Sequence, residues 1–209
     1  MEYEVRFYYS KKALDKINAK LNKINNLKQS SRLYEKTTQY DHSCDSMSFY
    51  SKDIDGRFRI RISKNSETAK CKVSWKRRLP STIETDVNKE EEYELTINPD
   101  EYNNLIFIVD NVLKMKSIES YERYRTIYYN EEIKISVDEY PFGIALEIEN
   151  KSDSDPEETI KKWTAILNLD IKKAYRLSWD DKYLELCNSQ NIEVFKHVLF
   201  DLPMPEVIE

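Results

Sequence analysis

Strand-period alternation with charges of both signs on one side recurs along most of this chain, and it limits what the chain can fold into. In Met1–Tyr9, Glu2, Glu4 and Arg6 oppose Tyr3, Val5 and Phe7. A two-residue period of this kind is that of a strand. Arg57–Ser63 sets Arg59 and Arg61 against Phe58, Ile60 and Ile62, and Ala69–Arg77 sets Lys72, Ser74 and Lys76 against Val73 and Trp75. Glu90–Ile97 sets Glu90, Glu92 and Glu94 against Tyr93 and Leu95, and Ser120–Tyr129 carries Arg123 and Arg125 on one face. Glu131–Glu139 sets Lys134, Ser136 and Asp138 against Ile133, Ile135 and Val137. After a turn through Pro141 and Gly143, Ile144–Glu149 sets Glu147 and Glu149 against Leu146 and Ile148.

A half-exposed antiparallel sheet is the commonest cause of such a pattern in any single strand. Its joint occurrence is what matters. With Arg57–Ser63 counted as the third strand, acids come from the first, fifth, seventh and eighth strands. Bases come from the first, third, fourth and sixth. An interior filled with charge is costly unless the charges pair and stay wet, so it is expected where a highly charged ligand must be gripped.

Three helices separate the strands. Ser10 is placed to cap one running to about Leu27, with Leu14, Ile17, Leu21 and Ile24 on its stripe. Asn98-Pro99-Asp100-Glu101 starts a second, expected to reach about Lys116 and to bury Leu105, Val109, Val112 and Leu113. Asp153 or Ser154 caps a third, with Pro156 at its start and Ile160, Trp163 and Leu167 on its apolar side. From Lys172 onward helical and irregular signals mix.

Several function classes drop out. A net charge of −5 argues against a general nucleic-acid binder. With Gly56 and Gly143 as its two glycines, the chain lacks the Rossmann and P-loop phosphate cradles. Two distant histidines, His42 and His197, give little support to histidine-based catalysis. Cys44, Cys71 and Cys187 have no metal-ligand spacing and read as reduced thiols, so a cytoplasmic location is expected. No signal peptide and no membrane span is expected, because no apolar run approaches the needed length.

Glu2-Tyr3-Glu4-Val5-Arg6 resembles the N-terminal ExExK motif of the CYTH superfamily, the triphosphate tunnel metalloenzymes. The rest follows in that family's order. Arg59-Ile60-Arg61 resembles its R-x-R strand, and Lys76 its following lysine. Glu92 and Glu94 resemble its E-x-E strand, and Arg123 and Arg125 its basic strand. Asp138 and Leu146-Glu147-Ile148-Glu149 resemble its closing aspartate and L-E-I-E. Ala174-Tyr175 resembles a tyrosine site near its last helix. The resemblance implies an α+β fold: a closed eight-stranded antiparallel barrel with flanking helices over residues 1–180, and a C-terminal extension, 181–209, packed on or near it.

The resemblance also implies a triphosphate-bearing ligand with Mg²⁺ or Mn²⁺. Arg6, Arg59, Arg61, Lys76, Arg123 and Arg125 are assigned to phosphate, because guanidinium forks match phosphate oxygens in pairs. Glu2, Glu4, Asp138, Glu147 and Glu149 are assigned to metal, since carboxylates reach phosphate only through a hard cation. The catalytic set is Glu2, Glu4, Arg6, Lys76, Glu147 and Glu149. Glu92 and Glu94 either bind metal or orient arginines, and Lys72 and Lys134 are further candidates for phosphate.

Arg6 stands where lysine is usual, which keeps the charge and removes a base. The leading reading is a hydrolase of inorganic, nucleoside or thiamine triphosphate. The alternatives are a class IV-type adenylyl cyclase, a non-catalytic polyphosphate-binding module and a β-rich interaction domain. The absence of an H-F-x-x-K near the N-terminus favours the hydrolase over the cyclase. Ordinary roles compete for individual residues: a frayed terminal Glu2, surface pairing of Arg123 and Arg125 with Glu119 and Glu122, a solvated loop end at Glu90–Glu92, and strand packing for Tyr121, Tyr124, Tyr128 and Tyr129. The apolar stretch Val198–Leu202 either packs back on the barrel or forms a homodimer contact.

Overall fold

The computed structural model describes residues 1–49, 54–79 and 87–208. Ten strands run in chain order: β1 Glu2–Tyr9, β2 Lys28–Gln29, β3 Leu33–His42, β4 Gly56–Lys64, β5 Ala69–Arg78, β6 Asn88–Ile97, β7 Met115–Tyr129, β8 Ile133–Tyr140, β9 Gly143–Asn150 and β10 His197–Val198. Four α-helices lie between or after them: α1 Leu14–Leu21, α2 Tyr102–Phe107, α3 Pro156–Ile166 and α4 Trp179–Gln190.

Eight of the strands close on themselves. The hydrogen-bonded order is β7-β3-β4-β5-β6-β1-β9-β8, and β8 pairs back to β7, each pair antiparallel. Closure removes free sheet edges and gives every strand an inner and an outer face. The two short strands, β2 and β10, both add to β7.

Most of the apolar core lies outside the barrel wall. Val5 and Phe7 of β1, Ile133, Ile135 and Val137 of β8 and Ile144, Leu146 and Ile148 of β9 point outward, where Leu21 of α1 and Ile160, Trp163 and Leu167 of α3 and its end cover them. Each such side chain, fully buried, contributes roughly 1.5–3 kcal/mol. A second outer cluster joins Tyr40, Ile60 and Val73 to Leu105 of α2 and to Val109. A third lies at one barrel end, where Trp179, Tyr183, Leu186 and Cys187 of α4, together with Val198, pack on Tyr121, Tyr140 and Phe142. Val198 thus packs back on the barrel, beside Tyr121 in the parallel β10–β7 pair.

The helices differ from expectation at their ends. α1 stops at Leu21, not Leu27, and tighter turns follow, with the Lys23 N–H on the Lys20 carbonyl and the Ile24 N–H on the Leu21 carbonyl. Ile24 and Leu27 still pack against the core from those turns. Asp155, not Asp153 or Ser154, caps α3, accepting from the backbone N–H of Glu157 and Glu158. The second helix widens into a π-helical stretch, Ile108–Val112, before β7 begins at Met115. Its wide turn carries the Leu113 N–H to the Ile108 carbonyl. That rotates Val112 and Leu113 to 63% and 46% exposure, while Val109 stays buried.

The strand β3 carries no hydrophobic alternation to announce it. Glu35, Thr37, Gln39 and Asp41 occupy one face and are all buried. Polar residues at those positions look like loop in sequence and become intelligible only when that face is an enclosed polar one.

Candidate functional site

Inner faces of the eight barrel strands enclose a cavity of about 470 Å³. Its wall carries Glu2 and Arg6 from β1, Glu35 from β3, Arg59 and Arg61 from β4, and Lys72 and Lys76 from β5. Further round come Glu92 and Glu94 from β6, Arg123 and Arg125 from β7, Lys134 from β8, and Glu147 and Glu149 from β9. Strand alternation explains the grouping, because residues two apart share a face. Tyr121, Tyr140 and Trp179 line one end, and Lys70, Lys134 and Lys151 stand toward the other.

The charges are paired, as enclosure demands. Asp138 accepts from Arg125 through both carboxylate oxygens at 2.6 Å and from Arg123 at 3.0 Å. Arg123 also donates to Glu35 at 2.8 Å and to the Tyr140 hydroxyl at 3.1 Å. Arg6 donates to Glu147 at 2.6 Å and to Glu4 at 2.9 Å. Arg61 donates to Thr37 at 3.3 Å, and Arg59 reaches Glu92 at 3.4 Å. The buried Nε of Arg59 makes no hydrogen bond among the described residues. Lys134 and Lys151 both contact Glu149, and Lys72 donates to Glu94 at 2.5 Å.

Lys76 is the centre of a second grouping. Its ammonium donates to Glu2 at 3.0 Å and to Glu4 at 3.4 Å, and it contacts Glu90. Glu2, Glu4 and Glu90 each offer a carboxylate oxygen, and these oxygens lie within 4.8 Å of one another. An all-oxygen, all-anionic set already sharing one cation fits a hard divalent ion such as Mg²⁺ or Mn²⁺. Glu149 lies beside Glu2, close enough to hydrogen-bond it.

Proton affinities follow from these neighbours. Burial alone would raise the Glu2 carboxyl, but Lys76 and the hydrogen bonds around it bring it down to about 2. Glu147 is likewise lowered against the cost of burial, by Arg6, Arg125 and Lys76, and Lys76 is itself raised by Glu4 and Glu2. Glu92 and Glu149 go the other way: burial raises them, Glu2 adds repulsion, and nearby lysines only partly offset this.

Of the residues singled out from sequence, Glu2 and Glu4 join the carboxylate group, while Asp138 and Glu147 lie against arginines and Glu149 against lysines. Arg123 and Arg125 pair with Glu35, Asp138 and Glu147, not with Glu119 and Glu122. Tyr175 does not line the cavity; its ring meets Tyr8 edge-on at 5.3 Å. Two buried acids have no site role in the sequence pattern alone. Glu90 shares the Lys76 group, and its i, i+2 spacing to Glu92 is the signal that finds it. Glu35 lies between Arg61 and Arg123, and no pattern in β3 marks it.

The CYTH domain model matches residues 1–178. This chain belongs to the CYTH family. No curated protein matches the sequence. Among solved structures, the CYTH chain is similar to the PH1819 protein of Pyrococcus horikoshii OT3, with a TM-score of 0.63, 23% identity, and 88% of this chain and 99% of that one covered. It is also similar to HpAC1 of Hippeastrum, described as an adenylyl cyclase candidate with a dominant triphosphatase activity, at a TM-score of 0.60, 18% identity and coverage of 93% and 98%. A Vibrio parahaemolyticus protein described as an adenylate cyclase candidate follows at a TM-score of 0.59, 15% identity and coverage of 86% and 96%. At such identities these likenesses establish the fold of the CYTH chain and nothing finer. No helix among its described residues is long and apolar enough to cross a membrane.

Proposed function

We propose that this CYTH protein hydrolyses a triphosphate inside the barrel with the help of Mg²⁺ or Mn²⁺. The observation that carries the reading is the closeness of two charge groups of opposite kind. Arginines from β1, β4 and β7 line the same cavity as Glu2 and Lys76, and Glu4 and Glu90 group with Glu2 around Lys76. A phosphate-binding module needs only the first group.

Arg59, Arg61, Arg123 and Arg125 hold the phosphate chain, with Arg6 and Lys76 toward the carboxylates. Asp138, Glu35 and Glu147 fix the guanidinium planes, so their donors are aimed before substrate arrives and little reorganisation is needed. Glu2, Glu4 and Glu90 would hold the metal, with Glu149 next to Glu2. A bound divalent ion would polarise a phosphoryl oxygen and lower the pKa of a bound water. Glu92 and Lys72 orient Arg59 and Glu94, and Lys134 steadies Glu149. The three free cysteines accord with a reducing, cytoplasmic setting.

The likeness to the Hippeastrum and Vibrio proteins, both described as adenylyl cyclase candidates, raises the cyclase as the second reading. Incubation with tripolyphosphate, ATP and thiamine triphosphate plus Mn²⁺, with products separated by chromatography, decides between them. Release of orthophosphate supports the hydrolase. Cyclic AMP with pyrophosphate from ATP would replace it with the cyclase, and tight binding without turnover would leave a binding module.

A further inference from the structure

Tyr121 is a lumen group to which the hydrolase reading gives no work. It lies two residues before Arg123 on β7, so alternation puts both on the inner face. It is 1% exposed. Trp179 of α4 holds its ring at a centroid distance of 4.3 Å and Tyr140 of β8 at 5.7 Å, and the Arg123 guanidinium lies 5.8 Å from the ring centre. Its oxygen accepts from the hydroxyl of Thr37 of β3, and the Thr37 oxygen in turn accepts from Arg61 at 3.3 Å.

We propose that Tyr121 is the proton donor to the leaving group at the arginine-rich, aromatic-lined end of the lumen. The assignment rests on the hydrolase reading. When a phosphoanhydride is cleaved, negative charge develops on the departing oxygen; a proton delivered there stabilises it, and the neighbouring arginines do not release theirs near neutral pH. Of the carboxylates against these arginines, Glu35 and Glu147 are held low and so carry no proton to give, Asp138 has both oxygens taken by Arg123 and Arg125, and Glu92, on Arg59, lies with Glu2 and Lys76 away from the aromatic end. Tyr140, the other phenol there, is pushed up by burial and by Asp138. Burial would raise Tyr121 too, but Arg123, Arg61 and Arg59, with the Thr37 hydrogen bond, outweigh it and bring the phenol down to about 8. Such a group is protonated at neutral pH and gives up its proton readily.

The step balances without a further reagent. A water oxygen bonds to phosphorus, and the bridging P–O bond breaks with its electron pair left on the departing oxygen. That oxygen takes the Tyr121 proton. The phenolate, flanked by Arg59, Arg61 and Arg123, regains the proton given up by the attacking water.

The test uses the full chain with tripolyphosphate and Mn²⁺. Tyr121→Phe keeps the ring against Trp179 and Tyr140, so the fold is retained. Its kcat is expected to fall about 100-fold, at the low end of general-acid effects, with KM changed by less than about threefold. The wild-type fall in kcat/KM above about pH 8 should be absent from this variant. In a protein with 3-fluorotyrosine at position 121, that fall should move to lower pH. A Tyr121→Phe variant with wild-type kcat, or with the alkaline fall intact, overturns the assignment while leaving the hydrolase reading standing. A wild type that releases no phosphate from any triphosphate overturns both.

Discussion

Lys76 donates to Glu2 across 3.0 Å although the two lie 74 positions apart in sequence. The contact joins β5 to the start of β1 and brings Glu2 into the site. It also shows what occupies the Glu2–Glu4–Glu90 group: an ammonium, in the position of a cation that three carboxylates require.

Glu90 therefore becomes the most informative single carboxylate to change. Glu90→Gln keeps the shape of the side chain and removes one of the three negative charges that face Lys76. The half-saturating Mn²⁺ concentration for phosphate release should rise at least about tenfold, the scale set by altered metal-site partners. Activity titrated against Mn²⁺ checks this, and an unchanged titration would assign Glu90 to Lys76 alone.

Asp138 should behave as a structural counter-charge. It is 1% exposed and takes hydrogen bonds from Arg123 and Arg125 together. Asp138→Asn leaves two buried guanidinium groups with less compensation, which costs about 3–5 kcal/mol for a broken buried pair. For a chain of this length that is a fall in Tm of roughly 6–20 °C. Calorimetry in the absence of metal checks it. A variant with wild-type Tm that has lost only metal affinity would return Asp138 to the ligand set.

Glu119 gives a pH prediction of opposite sign to the usual carboxylate. Burial and the nearby Asp180 raise it to about 7, against the partial relief of Arg57. A carboxyl raised in the folded state is protonated in both states below about 4.5, its ordinary value, so it costs nothing there. Between about 4.5 and 7 the unfolded chain ionises first, and stability is lost as pH rises. Glu119→Gln should raise Tm at pH 8 and leave it unchanged at pH 4. Equal shifts at both pH values would contradict this.

The barrel was legible because enclosure imprints a regular signature. Glu2, Glu4 and Arg6, or Glu147 and Glu149, alternate with residues that the outer helices must cover. The pairing inside was not legible. Nothing local to Asp138 says that it meets Arg123 and Arg125 rather than a metal, because the register of β8 against β7 sets that contact. β3 was hidden for a related reason: Glu35 and Thr37 take its lumen face, and Tyr34, Lys36 and Thr38 on its outer face make no apolar row to betray it. The helix ends lie in tight backbone turns after α1 and in a π turn after α2, which hydrophobic spacing does not encode.

The most direct test of the charged lumen is titration calorimetry of tripolyphosphate into the metal-free protein and into an Arg59→Gln/Arg61→Gln variant. The account predicts one ligand per chain for the wild type, with affinity falling as salt rises, and binding weakened at least about 100-fold in the variant, as the loss of two charge-assisted contacts implies. Equal binding by both proteins, or no binding by either, would contradict it.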